Sequence, residues 1–351
     1  MNCALDATPL TLSSGGLLRY VTELSLALAR EFPHDIYQLF SDQPFHMPPD
    51  SPPNLIVGPK GNHSGRWWLW GIRQAMKQSR AQLFHGTNFE VPYLGTAPSI
   101  LTVHDLSPWR DSAWHDAASR VRRRTPWLLR LRRARIVVTV SEAVRREVIS
   151  FFGFPSTRVR AIPLAASPLF RPIPETPPPA RPFFLFVGTV EPRKNVAALV
   201  EAWRATREQT GADLVIAGRS RADFVPLHPE NGLKLLGEVS DAELPRLYSQ
   251  ALAFVYPTHY EGFGLPVLEA MQCGCPVVTS RDPAVTEVSA GAAIHTGGAL
   301  ELADALHSIA SRPDLRAERK QAGIARASAF SWQATARATR ALYAEVIGEP
   351  V

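Results

Sequence analysis

This 351-residue chain is poor in several things, and each shortage narrows what it can be. It has only three cysteines, Cys3, Cys273 and Cys275, too few and too badly spaced for a disulfide framework. The pair Cys273-Gly274-Cys275 has no second cluster to complete a zinc site, so all three read as buried thiols. No run of about 18 apolar residues occurs, which leaves no candidate membrane-spanning helix. The start Met1-Asn2-Cys3-Ala4-Leu5-Asp6 lacks the basic and then apolar signature of a signal peptide, so the expected location is the cytoplasm.

Acidic residues are absent from one stretch in particular. Between Asp116 and Glu142 there are no carboxylates and eight arginines (Arg120, Arg122, Arg123, Arg124, Arg130, Arg132, Arg133 and Arg135), so the net charge of +6 is local and the rest of the chain is near neutral. Interleaved Val121, Trp127, Leu128, Leu129 and Leu131 fit a partly helical element with a basic face, which Pro126 should keep from being one uninterrupted helix. Such a face suits an anionic lipid surface on the inner side of the cell membrane; a solvated basic helix is the plain alternative. No zinc-finger, RNP-like or helix-turn-helix pattern accompanies the charge, so a nucleic-acid partner is not expected. Trp67, Trp68 and Trp70 in the same half suit either core packing or an interfacial or acceptor-binding surface.

What is present is a chain of 45% apolar and 20% charged residues, long enough for two domains. Short runs rich in β-branched and aromatic residues alternate with segments of helical spacing, as in parallel sheets covered by helices. Strands are expected at Cys3 to Asp6, Asn54 to Val57, Leu83 to His85, Ser99 to His104, Ile136 to Val140 and Val159 to Pro163. After six prolines in the twelve residues from Arg171 to Pro182, an extended connector, the pattern restarts at Phe183 to Val187, Leu214 to Ala217, Lys234 to Leu236, Ala253 to Tyr256 and Val277 to Thr279. The expected plan is an α/β protein of two doubly wound, Rossmann-like domains facing a cleft: residues 1–170, a linker 171–182, residues 183–330, and a helix in 331–351 that crosses back to the first domain.

Ligands of such sheets bind at loops leaving the carboxyl ends of strands. The strand Ala253 to Tyr256 runs into Glu261-Gly262-Phe263-Gly264-Leu265-Pro266-Val267-Leu268-Glu269-Ala270-Met271, where two glycines permit close approach and a proline opens a helix. The helix N-terminus suits a diphosphate, with Glu261 and Glu269 flanking it. By pattern alone this is also compatible with a tight turn carrying solvated acids. Phe183 to Val187 leads to Gly188-Thr189-Val190-Glu191-Pro192-Arg193-Lys194-Asn195, where a guanidinium fork and an ammonium precede a helix that Asn195 is placed to cap.

The stretch from Glu261 to Met271, followed by Cys273-Gly274 and Pro276-Val277-Val278, resembles the Glu-x7-Glu signature of glycosyltransferase family 4, which has the GT-B fold; Glu191-Pro192-Arg193-Lys194-Asn195 resembles the same family. In the first half, Gly15-Gly16 before Arg19-Tyr20, His85-Gly86-Thr87-Asn88 and His104-Asp105-Leu106 resemble its other loops. The resemblance implies a retaining enzyme. Arg193 and Lys194 would contact the donor's phosphates, and Glu261 and Glu269 the donor sugar and ribose. Gly15, Gly16, Gly188, Gly262, Phe263, Gly264 and Leu265 would shape the donor seat, His104 would lie beside the transferring sugar, and His85, Asn88 and Asp105 would contact sugar or acceptor. Thr286-Glu287-Val288 departs from the Pro-Glu-Val of close relatives.

The implied reaction is front-face transfer of a hexose from a nucleotide-diphosphate sugar to a saccharide or lipid-linked saccharide. Likeness to mannosyltransferases of surface polysaccharide synthesis makes GDP-mannose the first donor expected. No cofactor is called for, and no Asp-x-Asp triplet is present to hold a divalent metal. The other reading is a catalytically inactive sugar-nucleotide-binding or membrane-surface protein of the same fold.

Overall fold

The computed structural model describes every residue except 61–65, 96, 112–113, 115–117, 174–178, 222–226 and 350–351. The chain divides into two units, Met1–Leu164 with Ser331–Val351, and Ala165–Phe330.

Unit 1 is built on β1 (Asn2–Asp6), β2 (Ile36–Phe40), β3 (Leu55–Val57), β4 (Leu83–Gly86), β5 (Ser99–Val103), β6 (Ile136–Thr139) and β7 (Val159–Ala161), in the order β3-β2-β1-β4-β5-β6-β7. All neighbours are parallel, so each connection must cross over, and helices such as Gly16–Glu31 and Glu142–Phe152 do so. Every residue of β5 is buried, as expected for a central parallel strand sealed on both faces. Strand β2 has no counterpart in the sequence reading because Gln38 interrupts its apolar run. That Gln is buried, and its Nε2 donates to Asn2 Oδ1 (2.7 Å) and Ser79 O (3.2 Å).

The basic segment forms a helix, Ser119–Arg130, that continues through Pro126, contrary to the expected interruption. The missing proline N–H would orphan the carbonyl of Arg122 one turn earlier, and Trp109 Nε1 donates to it at 3.2 Å. Trp67 and Trp68 are core residues, whereas Trp70 is exposed. The closing helix Trp332–Ile347 is capped by Ser331, whose Oγ accepts from Ala334 N. It packs on Gly16–Glu31 within unit 1, with ion pairs Arg337–Glu31 (2.7 Å) and Arg340–Asp35 (3.1 Å).

Unit 2 holds β8 (Phe183–Val187), β9 (Asp213–Ala217), β10 (Leu233–Gly237), β11 (Ala253–Tyr256), β12 (Val277–Ser280) and β13 (Ile294–Thr296), in the order β10-β9-β8-β11-β12-β13. Both sheets therefore start at a central strand, build outward on one side, then cross to the other. The order reverses between β1 and β4 in unit 1 and between β8 and β11 in unit 2, where the loops diverge and open a crevice at the strand carboxyl ends.

The boundary falls earlier than residue 170. Phe170 is fully buried edge-on to Tyr248, and Gln272 Nε2 donates to the carbonyls of Ser167 (2.8 Å) and Phe170 (2.6 Å), so residues 165–170 belong to unit 2. Residues 174–178 of the proline-rich connector lie outside the described residues.

One backbone crossing shapes the carboxyl end of unit 2. Gly218 (φ 141°) lies so close to the loop after β8 that an added Cβ would sit 2.0 Å from Gly188 O. Gly218→Ala should destabilise unit 2 by about 2 kcal/mol or more, from backbone strain and displacement. A lowered urea midpoint checks this; an unchanged midpoint refutes it.

Candidate functional site

The loops leaving β8 and β11 meet at the unit 2 switch point. Pro192–Lys194 forms a single 3₁₀ turn, followed by the helix Val196–Thr210. Asn195 occupies the junction with φ 53°, and its side chain makes no capping bond, so its part is backbone geometry and not the expected N-cap. The left-handed residue turns the chain and places Arg193 and Lys194 against the β11 loop.

There the two cations converge on one carboxylate. Glu261 Oε1 accepts from Lys194 Nζ (2.5 Å), Tyr256 OH (2.9 Å) and Thr258 Oγ1 (2.9 Å), while Oε2 accepts from Arg193 Nη1 (3.3 Å). Arg193 also donates from Nη1 to Tyr260 O (3.0 Å), and from Nε and Nη2 to Glu191 Oε1 (3.2 and 2.9 Å). Lys194 and Glu261 are 7% and 8% exposed, so the cluster is nearly closed to solvent. Burial pushes the Glu261 carboxyl upward, but Lys194 and Arg193 outweigh it and bring the pKa down to about 2. Burial and then Arg193 pull the Lys194 ammonium below its ordinary value, with Glu261 opposing them.

The backbone N–H of Glu261 donates to Asp282 Oδ2 (3.3 Å), and Asp282 Oδ1 caps the helix Pro283–Ser289 through Ala284 N and Val285 N (3.0 Å each). Burial raises the Asp282 carboxyl to about 6. Gly264 takes φ 95° at the start of the helix Leu265–Gln272; Pro266 has no N–H, and Val267 N and Leu268 N donate to Gly264 O (3.0 and 3.3 Å), which leaves Leu265 N as the first-turn N–H outside the helical ladder. Phe263 is buried edge-on against Phe330 (5.9 Å), so its side chain packs inside unit 2; a donor could meet only its backbone. Glu269 is 1% exposed, with Tyr248 OH donating to its Oε2 at 3.4 Å. The structure thus joins Arg193, Lys194 and Glu261 directly and seats Glu269 apart, in the helix.

Unit 1 has a second, largely neutral, polar group at its β1/β4 switch point. His104, just past β5, donates from Nε2 to Thr87 O (2.8 Å); the carbonyl can only accept, so Nδ1 is the acceptor atom of the neutral ring. Burial lowers its pKa, and Tyr20 packs edge-on to the ring at 4.8 Å. His85, expected to touch sugar or acceptor, is corrected here. It is fully buried, with Nδ1 2.6 Å from Tyr343 OH and Nε2 2.7 Å from Thr102 Oγ1, and burial depresses it to about 3. Neither nitrogen is left for a ligand. Asp105 accepts from Ser107 N (2.9 Å) and Oγ (2.6 Å), tying the turn into Ser107–Arg110. Asn88 Oδ1 is buried without a hydrogen-bond partner among the described residues. Gly15 (φ 109°) and Gly16 stand exposed at the start of the helix Gly16–Glu31, with open space around Gly15.

Sequence reasoning missed Tyr256, Thr258, Glu191 and Asp282 as members of the site. Tyr256 and Glu191 sit inside the quoted segments and Thr258 in the loop between Tyr256 and Glu261, but nothing in the pattern showed that their side chains face Glu261 or Arg193. Among the described residues, no group of three or more His, Cys, Asp or Glu side chains is placed to hold a metal, and no helix is long and apolar enough to cross a membrane. The arginine stretch is partly committed: Arg120 Nε and Nη2 each donate to buried Glu90 at 3.0 Å, and Arg124 Nη1 donates to Tyr93 OH (2.8 Å).

Comparison with known proteins places the chain in a family. Residues 14–168 match the family described as Glycosyltransferase Family 4, and residues 172–326 that described as Glycosyl transferases group 1. The chain is 33% identical to O-antigen chain mannosyltransferase B of Escherichia coli, over 74% of this chain and 73% of that protein. It is 28% identical to O-antigen chain mannosyltransferase RfbU of Salmonella typhimurium, over 65% and 64%. Among solved structures, sucrose-phosphate synthase of Thermosynechococcus elongatus superposes with a TM-score of 0.76 at 20% identity, covering 99% of both chains. HepE of Anabaena, solved in complex with UDP and glucose, gives 0.72 at 18% identity, covering 98% of this chain and 99% of that one.

Asp6 supplies a pH test of unit 1. It is 1% exposed, accepts from Thr8 N (3.0 Å) and Thr8 Oγ1 (2.7 Å), and burial raises its carboxyl to about 6. With the folded value above the unfolded one, the folded form binds the proton more tightly. Its stabilising effect is full below about 4 and lost as pH rises through about 6. Asp6→Asn, uncharged throughout, should therefore gain on the wild type in thermal midpoint between about pH 4 and about pH 7. A difference constant across that range refutes the raised value.

Proposed function

We propose that this chain, which belongs to glycosyltransferase family 4 and has the GT-B fold, transfers a hexose from a nucleotide-diphosphate sugar with retention of configuration and without a divalent metal. One observation carries the reading: Arg193, Lys194 and Glu261 form a single hydrogen-bonded cluster on adjacent loops at the β8/β11 switch point. The acceptor is a saccharide or lipid-linked saccharide, in keeping with relatives whose names place them in O-antigen synthesis.

In the proposed reaction the bond between the anomeric carbon and the diphosphate breaks, and its electron pair leaves with the phosphate. The Lys194 ammonium, the Arg193 guanidinium and the N–H of Leu265 at the start of Leu265–Gln272 stabilise that charge. The acceptor oxygen forms its bond on the face the diphosphate vacates, and its proton passes to a donor phosphate oxygen. A covalent route through Glu261, as in retaining glycosidases, is disfavoured by its surroundings. A carboxylate held at a pKa of about 2 and engaged by four donors is a poor nucleophile. Pairing with Glu191 and Glu261 also keeps both cations from standing as bare buried charges before the donor arrives. Within unit 1, His104 has Nδ1 as an acceptor suited to a sugar hydroxyl.

Mannose is the hexose favoured by the names of the relatives, and GDP-mannose the first donor to try. A thermal-shift screen of GDP-, UDP-, ADP- and dTDP-sugars identifies the base, since a ligand at 100 times its Kd stabilises the folded state by about 2.7 kcal/mol. Glu261→Ala should lower transfer by about 100-fold or more, from loss of a buried charged partner and of preorganisation. EDTA should leave wild-type transfer unchanged; full inhibition by EDTA overturns the metal-free part.

Peripheral attachment to an anionic membrane is a second element of the proposal. Trp127 (52% exposed) and Leu131 (45%) stand beside exposed Arg123, Arg130, Arg132 and Arg133, an arrangement suited to the headgroup region. Sedimentation with phosphatidylglycerol vesicles should carry the protein down at low salt and release it at about 0.5 M, where screening is nearly complete. Equal recovery with neutral vesicles refutes it.

A further inference from the structure

Tyr256 ends β11 one residue before the loop that carries Glu261, and its ring is fixed within the sheet core. It stacks on Phe254 and Phe186 with centroids at 5.4 and 5.8 Å, and 1% of the residue is exposed. The hydroxyl therefore has one place to go. It lies 2.5 Å from Lys194 Nζ and 2.9 Å from Glu261 Oε1, while Lys194 Nζ itself is 2.5 Å from the same Oε1, so one atom from the end of β11 and two from the loops after β8 and β11 close a triangle.

The valences can be assigned. The phenol has one proton, which goes to the carboxylate; its oxygen accepts one ammonium N–H. Burial, with Glu261 adding to it, holds the phenol well above its ordinary value, so it keeps that proton. Thr258 Oγ1 lies 3.1 Å from Arg193 O and 3.2 Å from Tyr260 O, but its shortest contact, 2.9 Å, is with Oε1; with its single proton there, Oε1 takes three donors, against Arg193 on Oε2 among the described residues. The two carboxylate oxygens are thereby distinguished, with Oε1 saturated by protein donors and Oε2 retaining acceptor capacity. Among the described residues, Lys194 Nζ gives one of its three protons to Tyr256 OH and one to Glu261 Oε1, and the third is available to an anion.

We propose that Tyr256 is a positioning residue for sugar transfer: its hydroxyl, helped by that of Thr258, locks Lys194 and Glu261 Oε1 together so that one ammonium N–H and Glu261 Oε2 face the donor. The inference rests on the reading of Glu261 and Lys194 as donor contacts. Without the hydroxyl, the carboxylate can rotate and the ammonium can collapse fully onto it, leaving donor binding mostly intact but the geometry for the departing diphosphate loose.

The test uses the full chain and whichever of GDP-mannose, UDP-glucose, ADP-glucose and dTDP-glucose stabilises the wild type, reading steady-state release of nucleoside diphosphate. Tyr256→Phe keeps the stacked ring and should lower kcat about 10-fold or more, the scale of one hydrogen bond to a charged group, with donor KM within about 2-fold. Thr258→Val should act in the same direction, and Thr258→Ser should restore activity. In a Glu261→Gln background, Tyr256→Phe should add less than about 2-fold, because its effect passes through that carboxylate. A wild-type kcat for Tyr256→Phe, or an equal loss in both backgrounds, overturns the positioning role. Wild-type release by Glu261→Gln alone overturns instead the reading of Glu261, as does a wild type stabilised by none of the four sugars, and the inference falls with it.

Discussion

The structure of unit 2 turns on a buried carboxylate that must not be left alone. Glu261 sits among Tyr256, Thr258 and the sheet end with little solvent contact, a place where an isolated ionised group would be strongly disfavoured. Lys194 and Arg193 resolve this by coming to it from the neighbouring loop, and Glu191 balances Arg193 in turn. The constraint reaches outward. The β8 loop must turn sharply at Asn195, Gly218 must be small enough to let Gly188 pass, and Asp282 must hold the Glu261 backbone to the next helix. Each of these features has no obvious reason on its own and a clear one as support for a charge cluster.

Unit 1 has the same sheet plan and a different chemistry. Where unit 2 gathers charges at its switch point, unit 1 gathers neutral hydrogen-bonding groups: Tyr343, His85, Thr102 and Tyr20 form a continuous buried chain, and Thr87 holds His104 two residues along from the His85–Thr102 contact. Burial keeps both imidazoles in the neutral form. The contrast suits a division in which one half receives a diphosphate and the other uncharged hydroxyls. It also makes the closing helix a structural part of unit 1, since Tyr343 supplies one end of that chain.

Much of this was legible in the residues. The strand runs from Phe183 to Tyr256, the glycine-bearing loop at Glu261 and the basic pair before a helix are local patterns, and they sit where the pattern placed them. Strands β2 and β13 were not legible: Gln38 broke the first run, and its burial depends on Asn2 and Ser79, partners 36 and 41 residues away. His85 looked like a ligand contact because strand-end histidines often are. Only a tyrosine 258 residues later shows it to be a sealed core group. The helix through Pro126 is of the same kind, since the carbonyl that proline abandons is satisfied from Trp109.

The sequence by itself determined the two α/β units, the family, the loops that carry the site and the locality of the basic charge, because these follow from periodicity and from motifs a few residues long. Tertiary structure decided how the donors divide between the two oxygens of Glu261, which histidine is withdrawn from the surface, where the first unit ends and which arginines are already paired. Those outcomes depend on hydrogen bonds between residues far apart in the chain, and a buried polar group finds its partner by proximity in the fold and not by spacing along the sequence.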